Sequence, residues 1–413
     1  MIDLTDAGVV DFHAHMSLQI GVGELIRRDV TAQLNLFHGT PGRSYRWDDL
    51  EPVPDYERGM AQWAHPLNSQ YRMLIRYVAG ALGCEPDVME IDETLSAAME
   101  QGFSMYLESV LDRERIDLVV LDLLGELRDG AAGFPDDRYV WIYGITPLLS
   151  PLAVIDRGIT SLDDAIRWVD ESIDIAVAQG CVGFKNLMGY YRALDVSRPT
   201  ADEAASGLRH VAATPPADVK ESFLFGRIGI YDEATGRAAR AYEDFVIRHI
   251  VARAGDLGLL QLIHTGAQYS PNQNLPAADP ARLFSLFADP ASNATTFVML
   301  HAGAPYHENA AYLAWQFPNV YVDLSHTMRI PGRLNSILRT ILSIAPAHKV
   351  LYGSDSYASA EWLGYSAHRM RKHLTHVLSD LSADLEWTEA EAEQAGRMVL
   401  GDNARAILPG VAR

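Results

Sequence analysis

This sequence predicts an α/β fold, a (β/α)8 or TIM barrel, and three observations carry the prediction. Short apolar, β-branched runs recur eight times along the chain. Helical patterns lie between them. Several of the runs are apolar at successive positions, as strands covered on both faces should be.

The runs are GVVDFHAH (8–15), IDLVVLDL (116–123), YVWIYGIT (139–146), CVGFKNL (181–187), LLQLIHT (259–265), TFVMLHA (296–302), VYVDLSH (320–326) and KVLYGSD (349–355). Between the third and fourth, Leu162, Ile166, Val169, Ile173 and Val177 step by three and four and mark one helix face. Ser161 with Asp164 resembles a capping box, and Gly180 can stop this helix. A second helical pattern covers about 241–257 and stops near Gly258; a third covers about 388–400, with Thr388 ahead of Glu391.

Two connections exceed plain βα units. Residues 16–115 follow the first strand and contain QYRMLIRYVAGALGC, a helix by periodicity that ends at Gly83. This predicts a helical insertion, a cap at about 40–110 over the C-terminal mouth, where barrels carry their active sites. Residues 188–258 follow the fourth strand, and their proline-punctuated stretch SRPTADEAASGLRHVAATPPADVK predicts a loop insertion with short helix. No repeat or linker divides the chain, so 1–413 is expected to be a single domain.

Composition narrows the function. The chain has 413 residues, is 48% hydrophobic and carries a formal net charge of −20, with no basic block. That argues against nucleic acid or an anionic membrane as partner and for a small-molecule substrate. Two cysteines form no disulfide framework, and the start MIDLTDAG lacks the segments of a signal peptide. A cytoplasmic protein is expected, and a homo-oligomer.

The chemistry-bearing residues gather at strand ends. In a strand, residues i and i+2 point to one face, so His13 and His15 should both look into the barrel mouth. The fourth strand ends in Lys185, the fifth in His264, the sixth in His301 and the eighth in Asp355. Imidazole and carboxylate are zinc-type ligands. A lone histidine near a strand end is more often a hydrogen-bonded rim residue, and His65, His210 and His249 are read that way. Four histidines at the same end of three strands, with an aspartate on the last, point to a bound divalent metal.

DFHAH, GFK, IHTG, LHAG and GSD, in this order on the first, fourth, fifth, sixth and eighth strands, resemble the amidohydrolase superfamily. The resemblance is closer to its amidohydrolase 2 branch, and within it to the FluG-like group, whose domain also occurs fused to glutamine synthetase. GFKNLMGYYRAL, LQLIHTGA and KVLYGSDSYASAEWLGYSAHRMRK carry that likeness, which covers most of 9–15 and 181–405. It implies that His13, His15, His264 and Asp355 are metal ligands. His301 matches a position used as a second-metal ligand or a catalytic imidazole. Lys185 matches either a carbamylated bridge between two ions or an ammonium that holds a substrate carboxylate. Decarboxylating relatives run on one ion, which favours a single ion here. Zinc is the expected metal, with manganese as second choice.

FluG-like relatives usually carry an arginine six positions after the lysine. Here Arg192 follows by seven, after Tyr190 and Tyr191. Arg192 offers a planar fork for a substrate carboxylate, with Tyr191 beside it, or a salt bridge at the rim. Glu361 is read as a substrate contact or as an N-terminal helix carboxylate. Asp323 and His326 lie near the mouth, and His307 and Glu308 in the loop after the sixth strand. Asp355, His301 and Lys185 are the expected catalytic groups. Metal-dependent hydrolysis of a C–N amide bond in a small carboxylate-bearing substrate is the first functional reading. A γ-glutamyl amide or an N-acyl amino acid would fit it. A metal-dependent decarboxylase, a sugar-acid isomerase and a non-catalytic binding barrel are the alternatives.

Overall fold

The structure is a computed structural model that describes residues 2–15, 69–100, 102–131, 133–214, 216–222, 226–267, 274–357 and 359–411. The eight apolar runs form the barrel. Its strands are β1 (Val9–His15), β2 (Ile116–Asp122), β3 (Tyr139–Gly144), β4 (Gly183–Asn186), β7 (Leu260–His264), β8 (Thr296–Leu300), β9 (Val320–Asp323) and β10 (Val350–Leu351). Hydrogen-bonded neighbours run β1-β2-β3-β4-β7-β8-β9-β10, all parallel. The chain after β10 closes the ring. Phe12 N donates to Tyr352 O at 2.9 Å, Asp355 N to His13 O at 2.8 Å and His15 N to Ser356 O at 2.7 Å.

Val10, Phe12, Val120, Ile142, Leu262, Val298, Leu300 and Leu351 fill the barrel interior in one buried apolar cluster, with Ala404 and Leu408 of the C-terminal segment. A larger apolar layer lies between the strands and the outer helices. In β1 the register against β2 shifts between Asp11 and Ala14. Within that shift His13 meets Lys185 across the barrel, just after the apolar Val10 and Phe12 of the interior cluster.

Helices α4 (Leu162–Ala178), α6 (Glu233–Leu257) and α10 (Glu389–Arg397) are built on the predicted patterns, and α7 (His307–Gln316), α8 (Leu334–Ile344) and α9 (Ala360–Asp384) are the further helices that follow β8, β9 and β10. Ser161 Oγ accepts from Asp164 N at 3.1 Å, and Thr388 with Glu391 makes a complete capping box at the start of α10. Gly258 ends α6 in the left-handed conformation.

The insertion after β4 carries more than loop and short helix. It holds α5 (Ala201–Ala213) and an antiparallel hairpin of β5 (Asp218–Ser222) and β6 (Gly226–Ile230). Thr200 and Glu203 form a capping box that starts α5 directly after Pro199. Helix α6 begins at Glu233, eight residues ahead of the predicted pattern, because the carboxylate of the preceding Asp232 accepts from Thr235 N and caps it there.

The predicted cap at about 40–110 falls only partly on the described residues. Residues 40–68 lie outside the described residues. The remainder forms α1 (Ser69–Leu82), α2 (Val88–Met99) and α3 (Phe103–Arg113). Helix α3 takes the ordinary place of a barrel helix ahead of β2 and packs on α9, while α1 packs on α2 and α9. Tyr77 of α1 donates to Glu114 Oε1 at 2.7 Å, next to the start of β2. That bond ties α1 to the chain just ahead of β2. Among the described residues no helix is long and apolar enough to cross a membrane.

Candidate active site

Burial of each strand fixes the backbone of its last residues, and those residues converge at the C-terminal end of the barrel. His13 Nε2 lies 3.2 Å from Lys185 Nζ and 3.4 Å from Asp355 Oδ1. His15 Nε2 lies 3.4 Å from the same Asp355 oxygen. The other oxygen of Asp355 is 2.9 Å from His326 Nδ1. His301 faces His13 with ring centroids 5.4 Å apart, and His264 stacks at a tilt on His301 at 4.5 Å. One carboxylate thus sits among imidazoles from three strand ends.

Two groups of these residues bring ligand atoms close enough for one ion. They are His13, His15 and Asp122, and His13, His301 and Asp355. The fit can be tested on hydrogen bonding. A buried polar atom normally has a partner. Both ring nitrogens of His264 and Nδ1 of His13 are buried and have none among the described residues. Unpartnered imidazole nitrogens on rings gathered around a carboxylate fit a divalent cation.

Electrostatics agree. Burial pushes the His13 imidazole down to about 4, with the Lys185 charge adding to it, and burial holds His264 and His301 well below the usual histidine range. Neutral imidazole is the ligating form. Burial pushes the Asp355 carboxyl upward, but His301 and the hydrogen bonds from His13, His15 and His326 outweigh it and hold it well below the usual carboxylate range. Burial lowers the Lys185 amine, while Asp122 opposes that shift from 3.7 Å away. Beneath the mouth, burial raises the Asp11 and Asp323 carboxyls to about 7.

The family model described as Amidohydrolase matches residues 191–410, more than half of the chain. This chain belongs to the amidohydrolase family. Protein fluG of Emericella nidulans is 29% identical to it over 234 residues, which are 55% of this chain and 25% of that protein. The match therefore spans about a quarter of that relative's length. Among solved structures, a Lactobacillus casei protein assigned to the metal-dependent hydrolases superposes with a TM-score of 0.72 at 17% identity, covering 98% of this chain and 97% of its own. A uronate isomerase from Thermotoga maritima superposes with a TM-score of 0.67 at 13% identity, covering 98% and 95%. These superpositions show the shared barrel.

The amidohydrolase mouth brings together His13, His15, Lys185, His264, His301 and Asp355 as the strand ends predict. It does not bring Arg192 to a substrate. Arg192 is buried, and its fork is occupied by Glu243 Oε2 at 2.8 Å, Asp244 Oδ1 at 2.5 Å and the Asp195 carbonyl at 2.7 Å. Its role is an ion cluster that ties the end of the β4 segment to α6. Tyr191 lies by that cluster, beside Glu243. It is Tyr190 whose ring stacks on His264, with centroids 4.4 Å apart. Glu361 takes the bland alternative. It is buried in the first turn of α9, where Oε2 accepts from Ser359 Oγ at 2.7 Å.

Asp122, at the end of β2, was not singled out in the sequence, although its place in IDLVVLD matches that of the other strand-end groups. His326 does turn into the mouth. It has a φ of 65°, in the left-handed region that only a few non-glycine residues adopt. His307 stays at the rim, where its Nδ1 lies 3.0 Å from its neighbour's carbonyl at Pro305.

Proposed function

We propose that this amidohydrolase is a metal-dependent hydrolase that cleaves a C–N amide bond in a small carboxylate-bearing substrate. The observation that carries the reading is Asp355. Its carboxylate is held ionised at the centre of the imidazoles, 3.4 Å from both His13 and His15 and 2.9 Å from His326.

His13, His15, His264 and Asp355 would hold the ion, zinc first and manganese second. When bound, such an ion supplies a more acidic water and polarises a carbonyl. Asp355 is the group in this chain that accepts the proton of the attacking water. His326, in contact with its second oxygen, is placed to take that proton onward and return it to the departing amine. Lys185 adds positive charge for an anionic substrate, and Tyr190 borders the site above His264. The γ-glutamyl amides enter as candidates because relatives of the resembling group carry a glutamine synthetase domain, an argument from association.

The test has two parts. Elemental analysis of the purified protein should find about one or two divalent ions per chain. His13→Ala and His264→Ala should lose them with an unchanged circular dichroism spectrum, since other residues build the core. Full metal content in both variants would overturn the metal assignment. A panel of γ-glutamyl amides and N-acyl amino acids should yield ammonia or amine. Carbon dioxide from aromatic carboxylic acids would move the chain to the lyases, and interconversion of sugar acids to the isomerases.

A further inference from the structure

The turn after β8 and the turn after β9 meet at His301. Asp323 Oδ1 accepts the backbone N–H of His301 at 3.2 Å and that of Ser325 at 3.0 Å. The same oxygen accepts a short hydrogen bond from Ser325 Oγ. Ser325 Oγ also lies 2.9 Å from His301 Nδ1. All three residues are buried, Asp323 and Ser325 completely. Gly353 leaves room for them, since a Cβ there would come within 2.4 Å of Asp323 Oδ2 and 3.0 Å of Ser325 Cβ.

Donor counting assigns the protons. Two backbone N–H groups already point at Asp323 Oδ1, so this oxygen is an acceptor whatever the charge of the carboxyl. The single hydroxyl proton of Ser325 therefore goes to Asp323. Ser325 Oγ can then only accept from His301, and His301 Nδ1 must carry a proton. The lone pair that His301 has to offer is on Nε2.

We infer that Ser325 is a positioning residue that locks His301 in its Nδ1–H tautomer, so that Nε2 acts at the mouth as a metal ligand or a base. In its neutral state His301 does not donate a hydrogen bond to an oxyanion. The backbone adds a second sign of constraint. His301 has a φ of 66° and Ala302 one of 56°. Two successive non-glycine residues in the left-handed region cost energy, which surrounding contacts must hold in place. Asp323 supplies one such contact through the His301 N–H. That His301 works in catalysis rests on the function proposed above, but its tautomer does not.

The experiment reads the tautomer directly. Full-length protein labelled with 15N-histidine is studied by long-range proton–nitrogen correlation, before and after dialysis against chelator. The His301 signals are assigned by their loss in His301→Gln. Wild type should show the Nδ1–H pattern in both spectra. Ser325→Ala should gain the Nε2–H pattern once chelated, with unchanged circular dichroism. On any substrate the panel identifies, its kcat should fall about tenfold to a hundredfold at nearly constant KM, the usual effect of losing a partner that orients a ligand. An Nε2–H pattern in wild type overturns the inference. So does a chelated Ser325→Ala protein that keeps the Nδ1–H pattern alone. Neither outcome depends on which substrate is turned over, so failure here is separate from failure of the proposed function.

Discussion

Two buried clusters of charge lie one helix apart in this chain, and they differ in what they leave open. Around Arg192, the guanidinium is matched by Glu243 and Asp244 and by main-chain oxygens. At the barrel mouth, carboxylates and imidazoles crowd together while nitrogens of His264 and His13 lack any partner among the described residues. Both clusters bury ionisable groups. Of the two, only the mouth holds imidazole nitrogens without a partner among the described residues. The difference teaches that burial of charge does not by itself mark a functional site. Unpartnered ligand atoms gathered around an ionised carboxylate do.

The sharpest way to break that contrast is Asp355→Asn. The amide keeps the shape and one oxygen but loses charge and basicity. Turnover should fall by about a hundredfold to ten-thousandfold, the size of a lost general base, while the melting temperature barely moves. Steady-state rates beside a thermal melt check this. Equal activity in the two proteins would remove the catalytic role given to Asp355.

Arg192→Ala should show the opposite profile. It strands two carboxylates in a buried place, and the loss of one partner of such a pair costs about 3–5 kcal/mol. Urea unfolding measures that loss, and metal content should stay at the wild-type level. A variant that remains stable yet has a raised KM would return Arg192 to the substrate.

Metal removal sharpens the comparison further. If the mouth holds an ion present at about a hundredfold over its Kd, chelation should lower stability by about 2.7 kcal/mol. The Arg192→Ala increment should be the same with and without chelator, because the two clusters share no partner. Double-variant unfolding curves would reveal coupling if it exists.

The smallest effect is expected at an exposed pair. Arg237 and Glu233 sit one turn apart on α6 at 2.6 Å, both largely in solvent. Arg237→Ala should change stability by less than about 0.5 kcal/mol and leave metal content alone. A larger loss would show that exposure, and not partner satisfaction, is the wrong axis for ranking these pairs.

The sequence by itself determined the strands, their order and the ends at which His13, His15, Lys185, His264, His301 and Asp355 stand. The reason is local: alternation of side chains along a strand and burial of apolar runs are written in neighbouring residues. The same local signals marked the cap of α10. They were present for α5 as well, where Thr200 and Glu203 stand near the start of a segment read as loop with short helix.

What only the tertiary structure decided involves partners far apart in the chain. Arg192 meets carboxylates about fifty residues on, in α6, and so does not offer its fork to a substrate. Tyr190 rather than Tyr191 reaches His264, because the short turn Met188–Tyr190 rotates one ring toward the mouth and leaves the next beside Glu243. Helices α1 and α3 of the first insertion pack on α9, which comes from the other end of the chain. Asp323, Ser325 and His301 form one hydrogen-bonded chain because two separate turns converge over Gly353. Strand patterns specify which face a side chain takes, but the identity of the atom it meets depends on closing the ring, and that is a property of the whole barrel.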